Sequence, residues 1–366
     1  MKTVGDAGRA GRAAQEFAVE GTLASVAPYG SGHINDSYCA VFERGGRQER
    51  FLLQRINTHI FHNPAALMEN IERVTTHLAA KGSEEPAESR RVLTLVRTRD
   101  GRAWLLDAEG SYWRMYWFIE GARSYDAPET AGQAYEAARA FGEFQRMLAD
   151  LPAPRLHDTI PDFHNTPKRL EALKRAIEAD AFGKNAEARR EIEFALERQS
   201  VTQLLVDAGL PERVTHNDTK VNNVLLDERT GQGICVIDLE TVMPGLVLYD
   251  FGDMVRTMSC PAAEDERDLS LVRIEMGMFE ALARGYLSVA GSFLTDAEKR
   301  MLVQAGRVIT LEQGIRFLAD YLNGDTYFKV HRPGQNLDRA RAQFRLVESL
   351  EEHGAGMERV VAAAAR

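Results

Sequence analysis

The sequence predicts an α+β fold in two lobes, a small β-rich N-terminal lobe followed by a larger, mainly helical C-terminal one. Three observations carry this. Short β-rich segments alternate with turns from about Phe17 to Ile119. After Pro128 the pattern changes to apolar residues at helical spacing between charges. A chain of 366 residues with 44% hydrophobic content suffices for two full cores. The expected organisation is a flexible tail over 1–16, an N-lobe over 17–120 and a C-lobe over 121–366.

The opening dozen residues, rich in Gly, Ala and Arg, read as a frayed tail. Gly30 to Tyr38 is a glycine-bearing turn leading into a strand, and Phe51 to Asn57 is a second strand, with Leu52 and Gln54 on one face and Arg55 on the other. Asn63-Pro64 starts an amphipathic helix that buries Leu67, Met68, Ile71, Val74 and Leu78. Glu69 and Glu72 fall on its solvated side. The aromatic, alternating run Trp113 to Ile119 reads as the last strand of the small lobe, and Glu120-Gly121 as the turn out of it. Beyond it, helices are expected over 134–148, 168–179, 186–208, 264–289 and 295–322, with a proline-rich connection at 152–167.

A net charge of −9 excludes a broad basic surface for nucleic-acid polymers. Cys39, Cys235 and Cys260 are odd in number and widely spaced, so neither a disulfide framework nor a zinc site is indicated, and they read as small buried hydrophobes. No signal-peptide core or membrane-spanning run is seen, and the expected location is the cytoplasm.

The chemistry concentrates in His216-Asn217-Asp218-Thr219-Lys220-Val221-Asn222-Asn223 and the apolar run that ends at Asp238. Phosphoryl transfer from Mg-ATP needs one carboxylate to position the acceptor hydroxyl and take its proton. It also needs an amide oxygen and a second carboxylate to hold the metal. Asp218, Asn223 and Asp238 fit those three tasks. Val224 to Leu226 and Ile234 to Ile237 read as the strands of a hairpin around Gly231 and Gly233, which turns Asp238 back toward Asn223. Asp250-Phe251-Gly252 also spells a metal-binding tripeptide, yet it lies beyond the Met243-Pro244-Gly245 turn and opens a helix, so Asp238 is the expected ligand.

HxDxxxxN followed by a strand-borne Asp resembles the aminoglycoside phosphotransferase and choline kinase group of small-molecule kinases. The runs GSGHINDSY, FLLQRIN, HNDTKVNNVL, IDLETVMPG, DFGD and GIRFLADYLNGDTYF together resemble its N-acetylhexosamine 1-kinase branch, over roughly Phe17 to Leu350. The resemblance implies a bilobed protein-kinase-like fold and transfer from ATP, with Mg2+, to the anomeric hydroxyl of GlcNAc or GalNAc. Kinases for glucosamine, choline, homoserine or aminoglycosides stand as alternatives, with a non-catalytic nucleotide-binding protein behind them.

The resemblance also implies roles for individual residues. Gly30, Ser31, Gly32 and Ser37 would meet the phosphates, although Gly-Ser-Gly equally suits an ordinary hairpin turn. Gln54 stands where kinases carry a phosphate-binding lysine, and the backbone of Phe118, Ile119 and Glu120 would read adenine. His216 and Asp250 would brace the loop. Arg316 and Tyr327 look like sugar-binding groups, with His33, Asn35, Tyr116 and Thr219 as further candidates and Lys220 beside the acceptor. Read without that context, Glu312, Arg316 and Asp320, spaced four apart, form a solvated charged helix face. The oligomeric state is left open.

Overall fold

The computed structural model describes residues 4–30, 34–82 and 90–365. The chain divides into two compact units: Met1–Ala122 with Asp150–Ile160 and Ile234–Met243, and Arg123–Ala149 with Pro161–Gly233 and Pro244–Arg366. The expected C-lobe over 121–366 includes 150–160 and the segment holding Asp238, which cluster with the first unit.

The first unit opens with helix α1 (Val4–Gln15) and strands β1 (Thr22–Pro28), β2 (Asp36–Arg44) and β3 (Arg47–Arg55), followed by α2 (Pro64–Lys81). Short strands β4 (Leu95–Val96) and β5 (Leu105–Leu106) precede β6 (Tyr112–Trp117). The strands form one antiparallel sheet in the order β1-β2-β3-β6-β4, with β5 also paired to β6. α1 corrects the expectation of a tail. Ala10, Ala13 and Ala14 recur with Phe17 at helical spacing and pack with Tyr38, Phe51, Leu53, Trp113 and Met115 on one sheet face. Arg9 fastens this helix through a two-point pair with Asp107, both contacts at 2.8 Å.

The strand register sets Ser37 opposite Gln54, and Gln54 opposite Arg114, so three polar side chains form a row across β2, β3 and β6. α2 starts at Pro64 with Asn63 capping the amide of Ala66 at 3.2 Å, and buries Leu67, Met68, Ile71, Val74 and Leu78.

The second unit is mainly helical. In chain order come β7 (Ala122–Arg123), α3 (Ala131–Leu148), α4 (Thr166–Ala179), α5 (Arg189–Glu197), β8 (Arg213–Thr215), β9 (Val224–Asp227), β10 (Gly233–Val236) and β11 (Met243–Gly245), of which β7, β10 and β11 fall at the unit divisions. Then follow α6 (Val247–Met258), α7 (Met276–Ala290), α8 (Asp296–Leu322) and α9 (Gln335–Ala364). The turn after β9 is closed by the amide of Gly231 on the Asp227 carbonyl at 2.8 Å. Leu311, Ile315 and Leu318 of α8 share a core with Leu170 and Leu173 of α4 and Leu337, Phe344 and Val347 of α9.

Gly252 of α6 is a packing residue, because a Cβ there would meet the Ala305 carbonyl of α8 at 2.5 Å. Two expected helices are shorter than their patterns. The one drawn over 186–208 ends at Glu197 and gives way to a 3₁₀ turn, Gln199–Gln203, where Ser200, Val201 and Thr202 disfavour continuation. The stretch 264–275 is irregular, since Glu266 and Asp268 side chains accept from nearby main-chain amides in place of a helical ladder.

Candidate active site

β8 delivers the chain to His216, and α6 holds it there. The carboxylate of Asp250 accepts from the amides of His216 at 2.9 Å and Asn217 at 2.6 Å, and from the Gln145 amide at 2.6 Å. One turn later Asp253 accepts from the amide of Thr219 at 2.8 Å and pairs with Arg256. Two carboxylates three residues apart thus fix the main chain on both sides of Asp218. Asn217 takes a left-handed conformation, φ 65°, between them. Asp253 was missed in the sequence, although its spacing from Asp250 is the helical one.

The His216 ring is buried beside Phe141 and Phe144, and its Nδ1 accepts from the Asp218 amide at 3.3 Å. Thr219, expected at the acceptor, is fully buried and donates its hydroxyl to the Asp250 carbonyl at 2.6 Å. It is therefore part of the loop's support.

The Asp218 carboxylate is held at both oxygens. Lys220 Nζ lies 2.9 Å from Oδ1, and Asn223 Nδ2 donates to Oδ2 at 3.0 Å and to the Asp218 carbonyl at 2.7 Å. Burial alone would push this carboxyl up; Lys220, with Arg256 behind it, outweighs burial and holds it below the usual carboxylate range. Asp218 correspondingly raises Lys220 above an ordinary lysine. The result is an ionised carboxylate at an imposed angle, suited to accept a proton. The side chain of Asp218 remains 23% exposed.

Further along the same unit, Arg316 is surrounded by rings, its Cζ lying 5.3 Å from the Phe163 centroid, 5.9 Å from Tyr327 and 5.4 Å from Phe328. Tyr327 is 61% exposed, so this cluster opens to solvent. The solvated-face reading fails for the neighbours of Arg316. Asp320 is buried and accepts the amides of Thr326, Tyr327 and Phe328, which shapes the loop carrying Tyr327. Glu312 is also buried, with His164 and Thr166 as partners.

The first unit supplies the remaining predicted residues. Asp238 has φ 62° at the head of a 3₁₀ turn, Leu239–Thr241. Two residues on, buried Glu240 forms an ion pair with buried Arg114 and accepts from Asn35. Burial alone would raise Glu240; Arg114 and a bond to Asp238 bring it below the usual range. Arg114 also donates to Gln54 Oε1 at 3.0 and 2.8 Å, so the Gln54 amide nitrogen faces Ser37 Oγ at 3.0 Å. Sequence reading missed Arg114 because an Arg within an aromatic strand carries no motif.

Several ligand candidates have structural partners here. Asn35 is buried, donating to Glu240 and accepting from the amide of Asn57 at 3.0 Å. Tyr116, expected at a cleft mouth, is 2% exposed, and burial raises its hydroxyl well above an ordinary tyrosine. Of the backbone groups expected at adenine, the Phe118 amide donates to the Arg50 carbonyl at 3.2 Å and the Glu120 carbonyl accepts from Arg90 at 2.9 Å, while Ile119 is a core residue. Gly30 has φ 74° with open space around it. Ser31, Gly32 and His33 lie outside the described residues.

Solved structures share this architecture over most of the chain. A microcompartment-associated aminopropanol kinase aligns with TM-score 0.58 at 17% identity, covering 96% of this chain and 98% of that one. An aminoglycoside phosphotransferase from Alicyclobacillus acidocaldarius gives 0.59 at 13% identity, covering 96% of each. The ethanolamine kinase of Plasmodium vivax gives 0.54 at 15%, covering 87% and 82%. At these identities the likeness establishes the fold. Among the described residues no helix is long and apolar enough to cross a membrane. The model of the APH phosphotransferase enzyme family matches residues 25–286, well over half the sequence, and the chain belongs to that family.

Proposed function

We propose that the protein is an ATP-dependent kinase that phosphorylates the anomeric hydroxyl of an N-acetylhexosamine, GlcNAc or GalNAc, to give the sugar 1-phosphate. The observation that carries the reading is Asp218, an ionised carboxylate held by Lys220 and Asn223 on a loop braced by Asp250 and Asp253. In this reading Asp218 orients the acceptor hydroxyl and takes its proton as the phosphoryl group transfers in line. In the same reading Lys220 keeps Asp218 ionised until that moment and then meets the moving phosphoryl charge.

Asn223 and Asp238 fit a magnesium ion by their chemistry. Asn223 gives its amide nitrogen to Asp218, which leaves a neutral oxygen donor, and Asp238, on a left-handed turn of the first unit, carries carboxyl oxygens. Amide and carboxylate oxygens are donors that suit a hard cation, which takes its remaining ligands from water and substrate phosphates. When bound, magnesium would neutralise charge on the phosphates. Ser37 and Gln54 present donors to the phosphates, and the Arg114–Glu240 pair fixes the orientation of Gln54.

The Arg316 cluster favours a neutral sugar over a cationic acceptor. A guanidinium already occupies the space among Phe163, Tyr327 and Phe328, so a choline-like ammonium would meet a like charge where it needs bare aromatic faces. Arg316 offers planar donors to hydroxyl and acetamido oxygens, and exposed Tyr327 offers a ring face with a polar tip. The test is an acceptor panel with ADP release as readout. Turnover on GlcNAc or GalNAc is expected; turnover confined to choline, ethanolamine, glucosamine, homoserine or aminoglycosides would overturn the assignment.

A further inference from the structure

His164, just before α4, lies outside every motif in the sequence, yet it joins the catalytic loop to α8. Its Nδ1 is 2.7 Å from Glu312 Oε1, and its Nε2 is 3.0 Å from the main-chain oxygen of Asn217. Both neighbours are acceptors. A neutral imidazole carries one N–H and could satisfy only one of them, so this geometry calls for the doubly protonated ring. Glu312 cannot readily turn away, because Thr166 donates to its other oxygen at 2.6 Å. The side chains of His164 and Glu312 are 4% and 1% exposed, which protects the arrangement from water.

The other groups around the ring agree. On α6, the Tyr249 ring lies 5.2 Å away, its hydroxyl pushed up to about 12 by burial and therefore uncharged, and Asp253 favours the cation from the same helix. Phe163 packs edge-on at 4.7 Å. On α8, Arg316 shares the field of Glu312. Burial opposes charge on both partners, but their mutual attraction outweighs it, so His164 is raised and Glu312 lowered from their ordinary values.

We infer that His164 is a positioning residue for phosphoryl transfer: as an imidazolium it ties the carbonyl of Asn217, the residue before Asp218, to Glu312 on α8. Glu312 lies one helical turn before Arg316, and the ring next to His164, Phe163, lies against Arg316. The base and the acceptor group are thereby set from one buried point. The inference rests on the reading of Asp218 as the base. When His164 loses a proton at alkaline pH, Glu312 retains the Nδ1–H, and the Nε2 lone pair then faces the Asn217 oxygen. The tie on the left-handed Asn217 is lost, and Asp218 drifts from its angle.

The experiment is nitrogen-15 NMR of the His164 ring in the full chain, set beside the pH profile of kcat. Both ring nitrogens should be protonated at neutral pH, above the ordinary imidazole value of about 6.5. The alkaline fall in kcat should follow the ring titration. His164→Gln should lower kcat roughly tenfold, leave KM for ATP unchanged and abolish that alkaline fall. A ring with one bare nitrogen at neutral pH, or a His164→Gln enzyme with wild-type kcat and profile, would overturn the inference. If His164→Gln does not fold, the wild-type ring spectrum and its agreement with the alkaline limb decide. Absence of turnover on any N-acetylhexosamine would overturn the acceptor assignment instead, whereas the ring spectrum needs no acceptor.

Discussion

Gln54 on β3 turns its amide oxygen to Arg114 on β6, which donates to it from two nitrogens at 3.0 and 2.8 Å. β3 thus presents a neutral amide with a buried cation behind it, and the carboxylate partner of that cation is Glu240. Arg114→Met should leave Glu240 charged, buried and unpaired, at a cost of about 3–5 kcal/mol. Arg114→Met combined with Glu240→Met should recover most of that. Denaturant unfolding of the two single variants and the double variant measures the coupling; simple additivity would refute it.

Asp250 is expected to serve stability and turnover together. Asp250→Ala removes the acceptor for the His216 and Asn217 amides and for Gln145, three buried donors. A loss of several kcal/mol follows from about 1–3 kcal/mol for each unsatisfied group. Asp250→Asn keeps one acceptor oxygen and should fall between Ala and wild type in both melting temperature and kcat. Were Asp250 a metal ligand instead, the Asn variant would show a raised magnesium requirement with an unchanged melting temperature.

Arg316→Lys preserves charge but loses the planar donors that fit among Phe163, Tyr327 and Phe328. KM for the sugar should rise about tenfold or more, while KM for ATP stays put. Steady-state kinetics with each substrate varied in turn gives the answer, and equal effects on both constants would remove Arg316 from the acceptor side.

The His164–Glu312 pair should also shape stability against pH. Glu312 is lowered on folding, so its contribution is present above its unfolded value of about 4.3 and is lost as pH falls through the folded one. His164 is raised, so its contribution is complete below about 6.5 and is lost as pH rises through the folded value. The pair is therefore worth most between those two values. In Glu312→Gln the difference in melting temperature from wild type should be largest in that window and shrink on either side.

Local patterns were legible where chemistry or period is written in adjacent residues. The loop from His216 to Asn223, the strand register that points Gln54 away from Arg55, and the buried stripe of α2 all follow from spacing. What spacing hides is partnership across the chain. His164 and Arg114 stand in no motif, and their importance lies in acceptors 148 and 126 positions away. Thr219, Asn35 and Tyr116 have the right functional groups for a ligand, but burial turned those groups to the protein itself. α1 was misread because alanine, though helix-forming, contributes a small apolar stripe that its glycines and arginines obscure. α9, 30 residues long and packed against α8, ends in an alanine-rich stretch whose period is weakly marked in the sequence.

Asp218→Asn tests the central claim most directly, measured as nucleotide binding by calorimetry alongside sugar 1-phosphate formation from ATP and GlcNAc. The neutral amide can keep the loop bonds but cannot take a proton, so binding should stay within a few-fold of wild type while turnover falls by about two to four orders of magnitude. Retained turnover in that variant would contradict the account and move the chemistry to another residue.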